Sequence, residues 1–217
     1  MEIIRLDNVS VGIWPKKIID SVSFTIDEGE KVAIYGGDDN VKKIILLIMS
    51  AIFRPTLGKV EINGNNVLLK RSEVRKNMGI GEFEGINDFD DNSTVKENLV
   101  FVARALKMKE VNQSIINVLS LLELEDILNK KYYSLDYLDK SLVSLAAALI
   151  NNPRILIITE PTKNLTLIER EKFWESFNKV IDGRTSVFST RDVLEAEKYA
   201  DRVFEFKGNR LNQVIKE

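Results

Sequence analysis

The chain has 217 residues, enough for one large domain or two small ones with a real core. Its 44% hydrophobic and 29% charged content reads as globular, and a formal net charge of −2 argues against nonspecific attraction to nucleic acid or anionic lipid. It contains no cysteine and no histidine, which excludes disulfides, thiolate chemistry and imidazole as base, metal ligand or pH switch.

In chain order, "IIRLDNVSV" and "SVSFTI" read as strands from their β-branched residues and alternation, with "DEGE" (Asp27 to Glu30) as the following turn. "KVAIY" is nearly all apolar, the texture of a strand buried on both faces. It ends in Gly36 and Gly37, and a helix is expected over Val41 to Phe53. "RPTLG" breaks the chain, "KVEINGNN" is a strand running into an Asn63-Gly64 turn, and "NMGIGEF" is a short strand candidate. From about Gly85 to Asn152 the pattern turns helical. Thr94 stands three residues before Glu97, a capping-box signature, and "EVNQSIINVLSLLEL" and "SLDYLDKSLVSLAAALINN" also read as helices. "RILIITEP" returns to a buried strand, followed by an amphipathic helix "LIEREKFWESFNKVI", a strand "TSVFST", a helix "VLEAEKYA" and a strand "RVFEFK".

Alternation of strands and helices at both ends predicts an α/β protein with a mainly parallel core sheet and helices on its faces. An antiparallel β part is expected at the N-terminus. Residues 1–84 and 152–217 are expected to form the core, with 85–151 as an inserted helical subdomain. "MEIIRLDNVS" lacks the pattern of a secretory signal. The most apolar window, Ile44 to Phe53, falls short of the ~20 residues that span a bilayer. A cytoplasmic location is therefore expected, with any membrane association peripheral and on the inner face.

The stretch after "KVAIY" fits part of the phosphate-loop pattern G-x-x-x-x-G-K-[ST]. Counted from Gly36, Lys42 falls on the lysine, Val41 on the second glycine and Lys43 on the hydroxyl position. Glycines let backbone N–H groups wrap phosphate, the lysine offsets its charge, and the hydroxyl holds Mg²⁺. Two aspartates, Asp38 and Asp39, lie in the loop. A helix N-terminus attracts a carboxylate for the same reason that it attracts phosphate. Asp38 or Asp39 is thus expected to fold back, cap the helix and pair with Lys42 or Lys43. Like charges ~5 Å apart at an effective dielectric of ~20 repel by roughly 3 kcal/mol, so these aspartates oppose a bound triphosphate.

"RILIITEPT" (Arg154 to Thr162), "TVKENL", "STRDVLEAEKYADRV" and "GNRL" occur in the order and spacing that resemble the ATP-binding cassette of ABC transporters, over essentially the whole chain. The resemblance implies a P-loop NTPase-like cassette with a helical subdomain. It also implies a degenerate ATP site made of Gly36, Gly37, Asp38, Asp39, Asn40, Val41, Lys42 and Lys43. Arg191 falls on the family's switch histidine, and Trp14, or Ile13 by spacing, on its adenine-stacking aromatic. Where the family has Asp-Glu, the chain has Thr159-Glu160. The metal-supporting carboxylate is replaced, and Glu160 stands as the catalytic carboxylate or as a relic paired with Arg191. The signature Leu-Ser-Gly-Gly falls on Leu135, Asp136, Tyr137 and Leu138. The glutamine falls on Gly85 or Glu84, and a further aspartate on Thr166.

From these departures the expectation is an ATPase-deficient subunit, a pseudo-ATPase that binds ATP weakly and without Mg²⁺. It would dock on a transmembrane transporter subunit as scaffold or regulator, beside a second ABC ATPase subunit, in a homo- or heterodimer. The alternatives are a functional ATP-hydrolysing subunit of an exporter and a soluble interaction module. By resemblance, the acidic cluster Asp88, Asp90 and Asp91 would face a coupling helix of the membrane subunit. Tyr132, Tyr133 and "SLVSLAAAL" are expected in the core.

Overall fold

The structure, a computed structural model, describes residues 1–13 and 15–214. The chain opens with two long strands, β1 (Glu2–Ile13) and β2 (Lys16–Asp27), and then β3 (Lys31–Tyr35) and helix α1 (Asp39–Met49). Next come β4 (Leu57–Ile62), β5 (Asn65–Asn66), a short helix α2 (Arg71–Lys76) and β6 (Met78–Ile80). Three helices follow, α3 (Val95–Ala105), α4 (Val111–Leu121) and α5 (Tyr137–Leu149), with two 3₁₀ turns between the last two. The remaining elements are β7 (Ile155–Ile158), α6 (Leu167–Ile181), β8 (Thr185–Ser189), α7 (Val193–Tyr199), β9 (Arg202–Lys207) and β10 (Arg210–Val214).

Two sheets form. One is antiparallel, in the order β2-β1-β4-β5. The Asn63-Gly64 turn that closes its last hairpin has φ of +51° and +69°, the left-handed pair that Asn-Gly accommodates. The other runs β10-β9-β3-β8-β7-β6. It is parallel from β9 to β6, with β10 antiparallel at its edge.

The apolar strands are continuous in sequence because each faces two cores. Ala33, Leu156, Ile158, Phe188 and Val203 point into the core shared with α3 to α6. Their neighbours Val32, Ile34, Ile155, Ile157, Val187 and Phe204 point into the core shared with α1 and the antiparallel sheet. This is period-two alternation with both faces buried. The capping box of α3 forms as its sequence indicates. Glu97 N donates to Thr94 Oγ1 at 3.1 Å, and Thr94 N donates back to Glu97 Oε2 at 2.7 Å. A second box, Thr166 with Glu169, starts α6. Of the tyrosine pair expected in the core, Tyr132 is buried and Tyr133 is exposed.

β6 and α5 touch through backbone. A Cβ placed on Gly79 would lie 1.8 Å from the Ala148 carbonyl oxygen, so only glycine permits the approach. The variant Gly79→Ala must push the helix off the sheet and is expected to lose about 3 kcal/mol. Urea unfolding followed by circular dichroism measures this, and an unchanged midpoint would show that β6 and α5 separate at no cost.

Candidate functional site

The site begins where β3 ends. Gly36 and Gly37 take φ of +76° and +61°, and a Cβ on Gly36 would sit 2.9 Å from the Phe206 carbonyl oxygen of β9. Glycine is therefore required there by conformation and by space. The turn delivers the chain into α1 with Asp38 as N-cap. Its Oδ1 accepts from Asn40 N at 2.8 Å, and its carbonyl accepts from Val41 N at 3.0 Å and Lys42 N at 3.2 Å. Asp38 thus engages N–H groups at the start of the helix, where an anion would otherwise dock.

Lys42 belongs to the buried stripe of α1 together with Ile45, Leu46 and Met49, the spacing of one helical face. It is 1% exposed. A buried ammonium needs partners, and Lys42 has three oxygens. Nζ lies 3.1 Å from Asp39 Oδ1 and 2.9 Å from Glu160 Oε1, and donates to the Thr190 carbonyl at 3.1 Å. Arg191 closes the group from outside. It reaches Asp39 through Nη2 and, at 3.2 Å, through Nε, and its Nε lies 3.7 Å from Glu160 Oε2. Two cations and two carboxylates balance.

These groups meet because β3, β8 and β7 are adjacent and parallel, so their carboxyl ends share one edge. Glu160 is held there with φ of +40°, a conformation that costs a non-glycine residue on the order of 1 kcal/mol and persists only where the surroundings fix it. Its N–H donates to the Ser189 carbonyl at 3.2 Å, which ties the end of β7 to the end of β8. The Arg191 hydrogen bond, aided by Lys42, holds the Asp39 carboxyl down at about 2, and Asp39 in turn raises the Arg191 guanidinium.

Beside this group lies a cleft of about 730 Å³, lined among others by Asp38, Asp39, Glu160, Glu82, Tyr132 and Lys140. Lys43 lines it but turns away from the aspartates, donating to the Glu84 carbonyl at 2.9 Å. The two tasks expected of one aspartate are divided. Asp38 caps the helix, and Asp39 pairs with Lys42. Thr159 donates to the Glu82 carbonyl at 3.1 Å. Asp136 caps α5, accepting from Asp139 N at 2.8 Å. Asp88 and Asp90 are used inside their own loop, accepting from Gly85 N, Asn92 N and Ser93 Oγ. Asp91 lies 3.9 Å from Lys140. Trp14 lies outside the described residues. Sequence reasoning missed Glu82, a carboxyl raised by burial that accepts from Tyr132 Oη at 3.0 Å. It also missed Thr190, whose backbone oxygen holds Lys42. Neither belongs to a recognisable pattern.

The sequence profile described as ABC transporter matches residues 19–163. The chain belongs to the ABC transporter family. It is 30% identical over 210 residues to the Nod factor export ATP-binding protein I of Rhizobium meliloti, covering 95% of this chain and 62% of the relative. The protein of the same name in Rhizobium etli is 29% identical over 213 residues, covering 97% of this chain and 67% of that one. The chain thus spans about three fifths to two thirds of the length of these relatives. A bacterial ABC transporter cassette solved as a dimer superposes with a TM-score of 0.83 at 25% identity, over 99% of this chain and all of the other. The fold is the α/β cassette.

Membership corrects one expectation. Counting lost motif letters led to a chain with no enzymatic activity. The match runs along nearly the whole chain through relatives named as ATP-binding proteins, and this overturns that expectation. The letter count scores each position alone, whereas the family profile is matched over residues 19–163 as a whole. No helix among the described residues is long and apolar enough to cross a membrane.

Asp39 supplies a pH test of the group. Its carboxyl is lowered from an ordinary value of 3.8 to about 2 in the folded protein. Its contribution is therefore complete above about pH 4 and disappears as pH falls toward 2. The urea midpoint of the parent should exceed that of Asp39→Asn by a constant amount from pH 7 to 5, and the gap should close below pH 4. A gap independent of pH down to 2.5 would show that the Asp39 charge does not hold the group together.

Proposed function

We propose that the chain is the ATP-binding and ATP-hydrolysing subunit of an ABC export system, and that Asp39 closes its phosphate site at rest. The observation that carries this reading is Lys42, a fully buried ammonium at a helix start, held by Asp39 and Glu160, two carboxylates that line a cleft of about 730 Å³. Phosphate and carboxylate offer such a group the same oxygen chemistry. Asp39 is 34% exposed and Arg191 55%, so both are free to move, whereas Glu160 is 13% exposed and fixed.

ATP fits the donor set once Asp39 swings out, because Lys42 and Arg191 then each lose a carboxylate partner. Bound ATP supplies the phosphoanhydride that is hydrolysed. Glu160, a carboxylate beside Lys42, orients the water. Magnesium would bind through a carboxylate together with phosphate oxygens and waters, and Glu160 is the carboxylate that stays in place once Asp39 has moved. The earlier expectation of a site without Mg²⁺ has no support from family membership.

In this reading residues 1–84 and 152–217 form the nucleotide-facing core and residues 85–151 a helical subdomain. The partners are a transmembrane subunit and a second cassette, and the place of work is the inner face of the cell membrane. The export role is supported by the name of the rhizobial relatives.

Calorimetric titration with ATP and Mg²⁺, together with a phosphate-release assay, tests both parts. The parent is expected to bind and hydrolyse ATP, and Lys42→Ala to lose binding. Asp39→Asn is expected to bind about tenfold tighter, ~1.4 kcal/mol, since an exposed pair is discounted for solvent screening. A parent without binding or turnover overturns the reading, and an Asp39→Asn variant no tighter than the parent overturns the closed resting site.

A further inference from the structure

Glu195 of α7 is a buried carboxylate, 6% exposed, outside the group at Lys42. All three of its hydrogen-bond partners are neutral donors, and they come from three separate segments. Trp174 Nε1 of α6 donates to Oε1 at 2.8 Å. Thr162 Oγ1 donates to Oε2 at 2.9 Å, and Thr190 Oγ1 donates to the same oxygen. Thr162 stands two residues after Glu160 on the loop leaving β7, and Thr190 immediately precedes Arg191 on the loop leaving β8. Thr190 also gives its carbonyl to Lys42 and its hydroxyl oxygen, as acceptor at 3.1 Å, to Asp192 N.

We propose that Glu195 is the positioning residue of the phosphate site: one carboxylate oxygen clamps the loop that carries Glu160 to the loop that carries Arg191 and the Thr190 carbonyl. The proposal rests on the reading of the site as an ATPase. Both hydroxyl protons converge on one oxygen, so the distance between the two loops is set by a single atom. Buried hydrogen bonds to a charged acceptor are among the strong ones, and leaving their donors unpaired is costly. A packing role alone would need no convergence of this kind. Glutamine at this position keeps an acceptor for Trp174 but turns an N–H₂ group toward the two hydroxyls, which must then accept from it and lose the shared oxygen for their own protons. A neutral amide therefore holds the two loops together more weakly than the carboxylate.

The test compares Glu195→Gln, Thr190→Val and Trp174→Phe with the parent. Trp174→Phe removes the indole donor and leaves both loop hydroxyls on the carboxylate. Glu195→Gln and Thr190→Val are expected to lower kcat for ATP hydrolysis at least tenfold with KM changed less than threefold. Trp174→Phe is expected to lower Tm while kcat stays within twofold of the parent. Amide hydrogen exchange of peptides covering 159–166 and 189–192 reads the same clamp without turnover. Both should exchange at least tenfold faster in Glu195→Gln and not in Trp174→Phe. The proposal is overturned if kcat and both exchange rates in Glu195→Gln match the parent, or if Glu195→Gln and Trp174→Phe lose activity and protection alike. A parent that binds ATP without turning it over overturns the ATPase reading alone, because the exchange comparison still decides the clamp.

Discussion

Everything at the carboxyl edge of the parallel sheet answers to one buried ammonium. Lys42 sits in the apolar stripe of α1, so its charge cannot retreat to water. Removing an ammonium from water is tolerated only where oxygens replace its hydration. The chain supplies them from three places: its own helix through Asp39, the end of β7 through Glu160, and the end of β8 through Thr190. That requirement explains the strained φ at Glu160, the tie from Glu160 N to Ser189, and the glycine turn that passes against β9 on its way into α1. Each brings an oxygen within reach of Nζ or holds it there.

The strands and long helices were legible because burial on two faces, or on one, leaves a period in the sequence. "KVAIY" and "RILIITEP" read as buried strands, and their residues do divide between two cores. The elements that escaped notice carry no such period. In α2 only Val74 is buried, so the helix offers no apolar stripe. β10 has no fully buried residue and is held by its pairing with β9 at the sheet edge. Thr166 stands where the family has an aspartate, and that comparison does not show the capping box it forms with Glu169. Tyr133 looked like core beside Tyr132, but in the 3₁₀ turn at Tyr132–Ser134 adjacent side chains point in different directions.

The site divides along the same line. Asp39 and Lys42 are three apart on one helix, so their pairing is a local matter that a sequence can announce. Thr190 and Glu195 are not local in this sense. The bond from Lys42 to Thr190 spans 148 residues, and the one from Trp174 to Glu195 joins two helices around the end of β8. A glutamate in "VLEAEKY" looks like any exposed helix charge until the packing of α7 against β3 turns it inward. Motif letters report which side chains are missing. They do not report that the Thr190 carbonyl, at the end of β8, supplies a third oxygen to Lys42.

The arrangement at Lys42 is neutral, and under the proposed ATP-binding role that decides which of its members would yield to a phosphate. Adding an anion to two cations and two carboxylates makes the group negative, and at the low dielectric around Lys42 the excess repulsion is large. One carboxylate has to leave. Glu160 is nearly buried and tied through its backbone to β8, so moving it means unlocking two strand ends. Asp39 sits at the first position of a helix, at the cleft mouth, and its second partner is a half-exposed arginine. Solvent can take up the Asp39 carboxylate, and parting it from Arg191 costs little, since exposed ion pairs are worth little either way. The path of least resistance keeps Glu160 on Lys42 and displaces Asp39, leaving the carboxylate with the fixed position beside the incoming phosphate.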